Sequence, residues 1–179
     1  RTMIRNETKR SALIYIDLDN FKKINDDYGH DQGVSVLSDF GVRLKQLAEE
    51  FVGEELGKYD VASLGGDEFA LVMSGTNDIH TITRTAKQFL AAIATPFKMA
   101  NHELVITSSV GIVLFPEDGA TPEILLKNAD TAMYHAKQKG NHYLFFNDSM
   151  NEQAVKRLQI ENLMSYGLKE DHFVVYYQP

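Results

Sequence analysis

The chain of 179 residues contains no cysteine and no tryptophan, and only four prolines. The absence of cysteine excludes disulfide bonds, a thiolate nucleophile and thiolate metal ligands. No hydrophobic run approaches the ~18 residues that a membrane-spanning helix needs, and no signal peptide opens the sequence. We therefore expect a cytoplasmic chain that makes no membrane contact through this segment.

Positive charge is also scarce, because 18 Lys and Arg residues face 25 Asp and Glu residues, for a net charge of −7. No basic tract is present that would follow a phosphate backbone, so nucleic acid is not expected as a partner. A single nucleotide is still compatible with this charge, provided that a metal ion or a few well-placed lysines offset its phosphates. The 44% hydrophobic content is that of an ordinary globular domain.

Hydrophobic periodicity and turn residues predict an alternation of strands and helices. Hairpins mixed with crossover helices favour an α+β fold with a mostly antiparallel central sheet and helices packed on it, rather than a doubly wound parallel sheet. The predicted elements are a strand at 11–17, helices at 20–28 and 33–51, strands at 60–64 and 68–73, a helix at 79–93, strands at 96–99 and 103–115, a helix from 122 that ends before 140, a strand at 143–146, a helix at 149–169 opened by a Ser-x-x-Glu capping box, and a strand at 173–177.

Acidic residues stand where strands end rather than on helix faces. Asp17 closes the first strand, and Asp67 and Glu68 follow the paired glycines Gly65 and Gly66 at the tip of a predicted hairpin. If the hairpin lies beside a central first strand, the two acidic sites converge and offer hard oxygen ligands for Mg²⁺ or Mn²⁺ that bridge a triphosphate. The alternative is that these acids are solvated turn residues.

Four segments, in this order, resemble the GGDEF family, the diguanylate cyclases that join two GTP molecules into cyclic di-GMP. The resemblance covers roughly residues 8 to 148 and implies the nucleotidyl cyclase or polymerase palm fold. The matching segments are IDLDNFKKINDDYGH at 16–30, SLGGDEFALV at 63–72, TSSVGIVLFPEDG at 107–119 and NADTAMYHAKQKG at 128–140.

The resemblance implies a metal site at the acids. Asp17, the backbone carbonyl of Leu18 and Asp67 correspond to ligands of Mg²⁺ or Mn²⁺. Asp67 is also the candidate base for the 3′-hydroxyl, and Glu68 would support the same metal and nucleotide site. The family's activity needs a homodimer in which each protomer brings one GTP.

The resemblance also implies nucleotide contacts. Lys22 and Lys137 correspond to phosphate-contacting lysines, Asn25 to the guanine-reading asparagine, and Gly65 and Gly66 to the backbone against which phosphates lie. Each has a simpler interpretation as well: a lysine on a short helix is usually solvated, and one in a last turn complements the helix dipole without a ligand.

Several positions depart from the family pattern. Val34 stands where the family has a guanine-binding aspartate, Asn141 where it has an arginine after the Lys-x-x-Gly element, and Ser63 where an arginine is usual. The Arg-x-x-Asp site that binds inhibitory cyclic di-GMP becomes Gly57-x-x-Asp60. We therefore expect a diguanylate cyclase domain of reduced or conditional activity.

The alternative is a catalytically silent GTP-binding domain that regulates a downstream phosphodiesterase, while a mere spacer would have no need for the retained site residues. The segment 157–179 resembles the entry helix and first strand of an EAL phosphodiesterase domain. We accordingly expect an N-terminally truncated GGDEF domain at 1–148, a linker helix at 149–170 and the start of an EAL domain at 171–179.

Overall fold

The computed structural model describes residues 10–53, 58–75, 78–99, 102–169, 172 and 177. These belong to two compact units, residues 1–146 and residues 147–179. No helix among the described residues combines the length and the apolar character needed to cross a membrane.

The first unit is built on a five-stranded sheet. Its strands are β1 Ser11–Leu18, β2 Tyr59–Gly65, β3 Glu68–Ser74, β6 Ser108–Phe115 and β7 His142–Phe145, while β4 Phe97–Met99 and β5 His102–Leu104 form a separate ribbon. The strand order is β2-β3-β1-β6-β7. β1 is central and pairs antiparallel with both β3 and β6, β2 pairs antiparallel with β3, and β6 and β7 are parallel. The predicted mostly antiparallel sheet with a central first strand is therefore confirmed.

Helices flank the sheet, and a single helix turn of π type, Glu49–Gly53, extends the second of them. The four helices of the first unit are α1 Phe21–Tyr28, α2 His30–Ala48, α3 Ile79–Ile93 and α4 Pro122–Lys137. The second unit contains α5 Asp148–Lys169.

The strict alternation of β1 places its even-numbered residues in the hydrophobic core. Ile14 and Ile16 are fully buried there, in one cluster with Phe40 of α2 and Phe89 of α3. Burying each such side chain stabilises the fold by roughly 1.5 to 3 kcal/mol. The amphipathic stripes of α2 and α3 are thus explained by their packing against this face of the sheet.

The opposite face of the sheet is covered by α4, which approaches β6 closely at Gly111. A Cβ atom added there would lie 2.0 Å from the carbonyl oxygen of Ala129 and 2.5 Å from the amide nitrogen of Met133. Only glycine permits this approach, and it brings the C-terminal end of α4 to the end of β1.

The prediction of one continuous strand at 103–115 is wrong. β5 ends at Leu104 and β6 begins at Ser108, in different sheets. Between them, the Thr107 carbonyl accepts the Asp19 amide at 2.9 Å, and its hydroxyl donates to the Asp19 carboxylate at 2.7 Å. The segment was predicted as a strand because it is rich in Val, Ile and Thr. Composition cannot reveal the hydrogen bonds to Asp19 that interrupt the strand.

The start of α1 lacks the side-chain cap that short polar residues commonly supply, and α5 begins before its predicted cap. Asn20, before α1, has a left-handed backbone (φ 58°) and makes no side-chain cap, and Gly29 after α1 also has a positive φ (87°). The predicted capping box is wrong, because α5 already begins at Asp148 and the Ser149 hydroxyl bonds the Asn147 side chain. The strand predicted at 173–177 lies, apart from residue 177, outside the described residues.

Candidate active site

The acidic sites meet at one end of the central strand. Asp17 is the penultimate residue of β1, is 6% exposed and lies opposite Glu68 in the β1–β3 register. The Leu18 amide donates to the Asp67 carbonyl at 3.3 Å. The β2–β3 hairpin thus lies directly beside β1, as the convergence of the acids requires.

The electrostatics of Asp17 show that its neighbours are close. Burial raises the pKa of its carboxyl, the ion pair with Lys137 acts in the opposite direction, and the charges of Asp67 and Glu68 raise the pKa further. The net shift is upward. Three carboxylates therefore share a small region that strongly favours a compensating cation.

Lys137 supplies that positive charge in this structure. It is the last residue of α4, and its Nζ donates to Asp17 Oδ1. Burial alone would lower its pKa, but the bond to Asp17 and the charges of Asp67 and Asp19 outweigh burial and raise it. Lys137 is therefore a firmly protonated ammonium group at the predicted site.

The hairpin turn presents backbone rather than side chains. Gly65 and Gly66 have φ values of 128° and 58°, a region that residues with a side chain rarely adopt. No atom lies within 4 Å of a Cβ built on either residue, so the turn is also open. An open glycine turn next to an acidic cluster is suited to close contact with a ligand.

The predicted base-reading residue, Asn25, lies on α1 and faces α2. The side-chain oxygen of Asn25 is buried and has no hydrogen-bond partner among the described residues. A Cβ on Gly33 would lie 1.9 Å from that oxygen, so glycine makes room for the amide. The adjacent Val34 is 52% exposed, and Lys22 is exposed on α1.

The positions that depart from the family pattern are placed as follows. Asn141 has a left-handed backbone (φ 43°), a conformation that asparagine tolerates well. Ser63 and Asp60 are exposed on β2, while Gly57 lies outside the described residues.

Asp19, two residues after Asp17, is not among the site residues predicted from the sequence. Its carboxylate accepts hydrogen bonds from the hydroxyls of Thr107 (2.7 Å) and Ser109 (2.6 Å) and from the Asn141 amide (2.9 Å). It fastens the β1–α1 turn to β6 and to the turn after α4. Short polar residues in the segments 107–109 and 140–141 were the available signal.

Tyr15 was missed as well. It lies on the same face of β1 as Asp17 and is 8% exposed. Burial, followed by the charge of Glu68, raises its pKa. Burial and the same charge raise the pKa of Asp130 on α4, so both residues border the acidic cluster. The two-residue spacing of Tyr15 and Asp17 was the signal in the sequence.

The fold and the arrangement of acids define a cyclase-type, palm-like domain. The sequence matches the family described as "Diguanylate cyclase, GGDEF domain" over residues 1–143. The chain belongs to the GGDEF family, whose members are domains of cyclic di-GMP signalling proteins.

Individual relatives agree. MucR of Pseudomonas aeruginosa, named a bifunctional diguanylate cyclase/cyclic di-GMP phosphodiesterase, is 37% identical over 174 residues, which are 97% of this chain and 24% of MucR. The solved structure of an EAL/GGDEF domain protein from M. capsulatus has a TM-score of 0.70 at 37% identity and covers 79% of this chain and 88% of that one. The GGDEF domain of TpbB (YfiN) from Pseudomonas aeruginosa has a TM-score of 0.71 at 31% identity, with coverages of 79% and 84%.

The chain spans about a quarter of the length of the curated relatives that it matches, 24%, 22% and 25% for the first three. The family is generally dependent on divalent metal, so the fit of the site to such an ion matters. Among the described residues, no group of three or more His, Cys, Asp or Glu side chains is arranged to hold a metal. The buried Asp17 carboxylate beside the charge of Asp67 nevertheless fits Mg²⁺, which takes one or two protein carboxylates and keeps several waters.

Proposed function

We propose that this domain binds GTP together with Mg²⁺ or Mn²⁺ and condenses two GTP molecules into cyclic di-GMP, as a homodimer and with reduced activity. The observation that carries the proposal is the convergence of Asp17, Asp67 and Glu68 at the end of β1. One buried and two partly exposed acids beside an open glycine turn have no evident role in folding, but they suit a metal–triphosphate complex.

The metal would be held by the carboxylates of Asp17 and Asp67 and by the Leu18 carbonyl. When bound, a divalent ion neutralises triphosphate charge and eases in-line displacement at phosphorus. In the reaction, the 3′-hydroxyl of each GTP loses its proton, forms a bond to the α-phosphorus of the other GTP and releases pyrophosphate. Asp67 is the candidate group to accept that proton.

The remaining residues would bind and orient the nucleotide. Lys22 and Lys137 would offset phosphate charge, and the backbone of Gly65 and Gly66 would allow phosphates to approach closely. The oxygen of Asn25 has no hydrogen-bond partner among the described residues but is enclosed against Gly33, so the side chain would have to turn outward to accept from a base donor. The proposed active site therefore combines groups from β1, the β2–β3 turn, α1 and α4.

Reduced activity follows from two missing contacts. Val34 offers no acceptor to guanine, and losing a charged hydrogen bond costs roughly 1.5 to 3 kcal/mol of binding. Asn141 lacks the bidentate fork with which an arginine holds phosphate. We therefore expect weak recognition of the base and a looser hold on the phosphates, with the acids at the reacting centre intact.

We further propose the setting of the domain: a GGDEF domain at 1–148, a linker helix at 149–170 and the start of an EAL domain at 171–179, in a cytoplasmic part of a longer chain. The resemblance of 157–179 to an EAL entry supports this arrangement. MucR, which carries both activities in its name, is a relative of the same kind.

Incubation of the full-length protein with GTP and Mg²⁺ or Mn²⁺, followed by chromatography, tests the reaction. We expect slow formation of cyclic di-GMP that Asp67→Asn abolishes. Asp60→Asn is the matched control, because Asp60 is an exposed acid on the same hairpin. No product despite metal-dependent GTP binding would refute the cyclase activity, and so would a rate that Asp67→Asn leaves unchanged.

A further inference from the structure

The ion pair between Lys137 and Asp17 places a positive charge on the atom that the proposed function needs for metal. The Lys137 ammonium contacts Oδ1 of Asp17, whose side chain is 9% exposed. A divalent ion and this ammonium cannot both occupy that face of the carboxylate. Coordination of a metal through Oδ1 therefore requires that the Lys137 ammonium leave that oxygen.

The backbone around Lys137 is held in place. After α4 ends, the amides of Lys139 and Gly140 donate to the Ala136 carbonyl at 3.0 and 3.3 Å, and the Asn141 amide donates to Asp19 at 2.9 Å. Any displacement of the Lys137 ammonium is therefore a motion of its side chain, which has a flexible four-carbon stem.

Space for such a motion lies next to the ion pair. A cavity of about 120 Å³ is lined by Asp19, Asn20, Thr107, Gly140 and Lys137 itself. The Lys137 side chain is 39% exposed, in contrast to its almost fully enclosed partner. The lysine thus stands at the solvent side of the pair and can move without opening the core.

We propose that Lys137 is the resident counter-ion of Asp17 in the nucleotide-free domain, and that it exchanges its place with the divalent ion when a metal–nucleoside triphosphate complex binds. This inference rests on the proposed function. A free metal ion has to displace the ammonium without compensation. A metal–triphosphate complex offers the displaced ammonium a phosphate oxygen as a new partner.

The exchange makes the domain selective for the metal–nucleotide complex over the free metal. The exchange couples the binding of the divalent ion to the binding of the nucleoside triphosphate, because each makes binding of the other more favourable. It also keeps the buried carboxylate paired when no nucleotide is present, which avoids an uncompensated buried charge.

Titration with Mn²⁺, followed by the electron paramagnetic resonance signal of the free ion, tests the exchange without any measurement of activity. In Lys137→Met, Mn²⁺ alone should bind about tenfold more tightly than in the unaltered protein, whereas the Mn²⁺–GTP complex should bind about tenfold more weakly. Lys137→Arg retains a cation and should keep the weak affinity for Mn²⁺ alone. Lys139→Met, an exposed lysine two residues further on, is the control and should change neither affinity.

Asp17→Asn tests whether the Mn²⁺ ion binds at Asp17. Added to Lys137→Met, it should abolish the tighter binding of Mn²⁺ alone. If Lys137→Met binds Mn²⁺ no more tightly than the unaltered protein while both still bind Mn²⁺–GTP, the exchange is refuted and the proposed function stands. If neither protein binds Mn²⁺ with or without GTP, the metal site of the proposed function fails and the exchange fails with it.

Discussion

Val34→Asp should restore recognition of guanine. Position 34 is in the second turn of α2, directly after the glycine that lies against the unpartnered Asn25 oxygen. A carboxylate there would accept hydrogen bonds from the guanine edge while Asn25 serves a neighbouring donor. One charged hydrogen bond contributes about 1.5 to 3 kcal/mol, which corresponds to a gain of roughly ten- to a hundredfold in affinity for GTP.

The substitution should leave the fold intact. Val34 is 52% exposed, so replacing it removes only part of the ~1.5 kcal/mol by which a fully buried valine would stabilise the core. The helix dipole acts mainly within the first turn, so it contributes little at position 34, and repulsion from Asp31 three residues earlier costs about 0.2 to 0.5 kcal/mol. We expect a midpoint of thermal unfolding within a few degrees of the unaltered protein.

Isothermal titration calorimetry with GTP and ATP, each with Mg²⁺, measures the effect. The gain should be confined to GTP. Val42→Asp is the matched control, because Val42 lies on the same helix at 56% exposure and two turns further on. An unchanged affinity for GTP in a normally folded Val34→Asp would refute the reasoning, since position 34 would then not face the base. An equal gain in Val42→Asp would refute it too, because the effect would not be local.

Three further predictions concern the unaltered site, a helix cap and the packing of α4. The unaltered protein should bind GTP and ATP within about tenfold of each other and lose most of its affinity when Mg²⁺ is removed, because its surviving contacts are to metal and phosphate; calorimetry showing far tighter binding of GTP would contradict this. Asp78 caps α3, and its hydrogen bonds with Thr81 and His80 lower the pKa of its carboxyl from the ordinary 3.8. The stability that the ionised cap contributes is therefore fully present above pH 3.8 and is lost as the pH falls through the lowered pKa. The melting temperatures of Asp78→Ala and the unaltered protein should accordingly converge in acid and stay different at alkaline pH. Gly111→Ala should destabilise the domain by roughly 3 kcal/mol or prevent folding, because the added Cβ would collide with the backbone of α4. Gly41→Ala is the control, because a Cβ there would lie 3.6 Å from its nearest neighbour, and it should be neutral or stabilising. Equal midpoints of the two variants in urea unfolding would refute the close approach of α4 to β6.

Much of the fold could be predicted because its signals are local. α3 has the bounds expected from its periodicity and from Pro96 beyond its end, and the β2–β3 hairpin follows from its paired glycines. The break at 105–107 could not be predicted, since it depends on Asp19, which is 88 residues away from Thr107. Hydrogen bonds between side chains of distant segments produce no periodic pattern of residue types from which they could be predicted.

The candidate site was predictable in its types of residue but not in its pairings. The convergence of Asp17 with Asp67 followed from a central strand next to a hairpin. Neither periodicity nor resemblance indicated that Lys137, from 120 residues away, bonds Asp17 directly. That contact depends on how closely α4 packs on the sheet, which is decided by the glycine at position 111.

The strand order has a consequence for amide hydrogen exchange. β1 is hydrogen-bonded on both sides, to β3 and β6, so its amides should exchange only when the whole first unit unfolds. Among the strands that the structure describes, β2 pairs with β3 alone and lies at one edge of the sheet, so its exposed turn should open locally and exchange much faster. Asp17 and Asp67 therefore belong to the slowest and the fastest exchanging parts of the sheet, and a ligand that bridges them should slow exchange chiefly at Gly66 and Asp67.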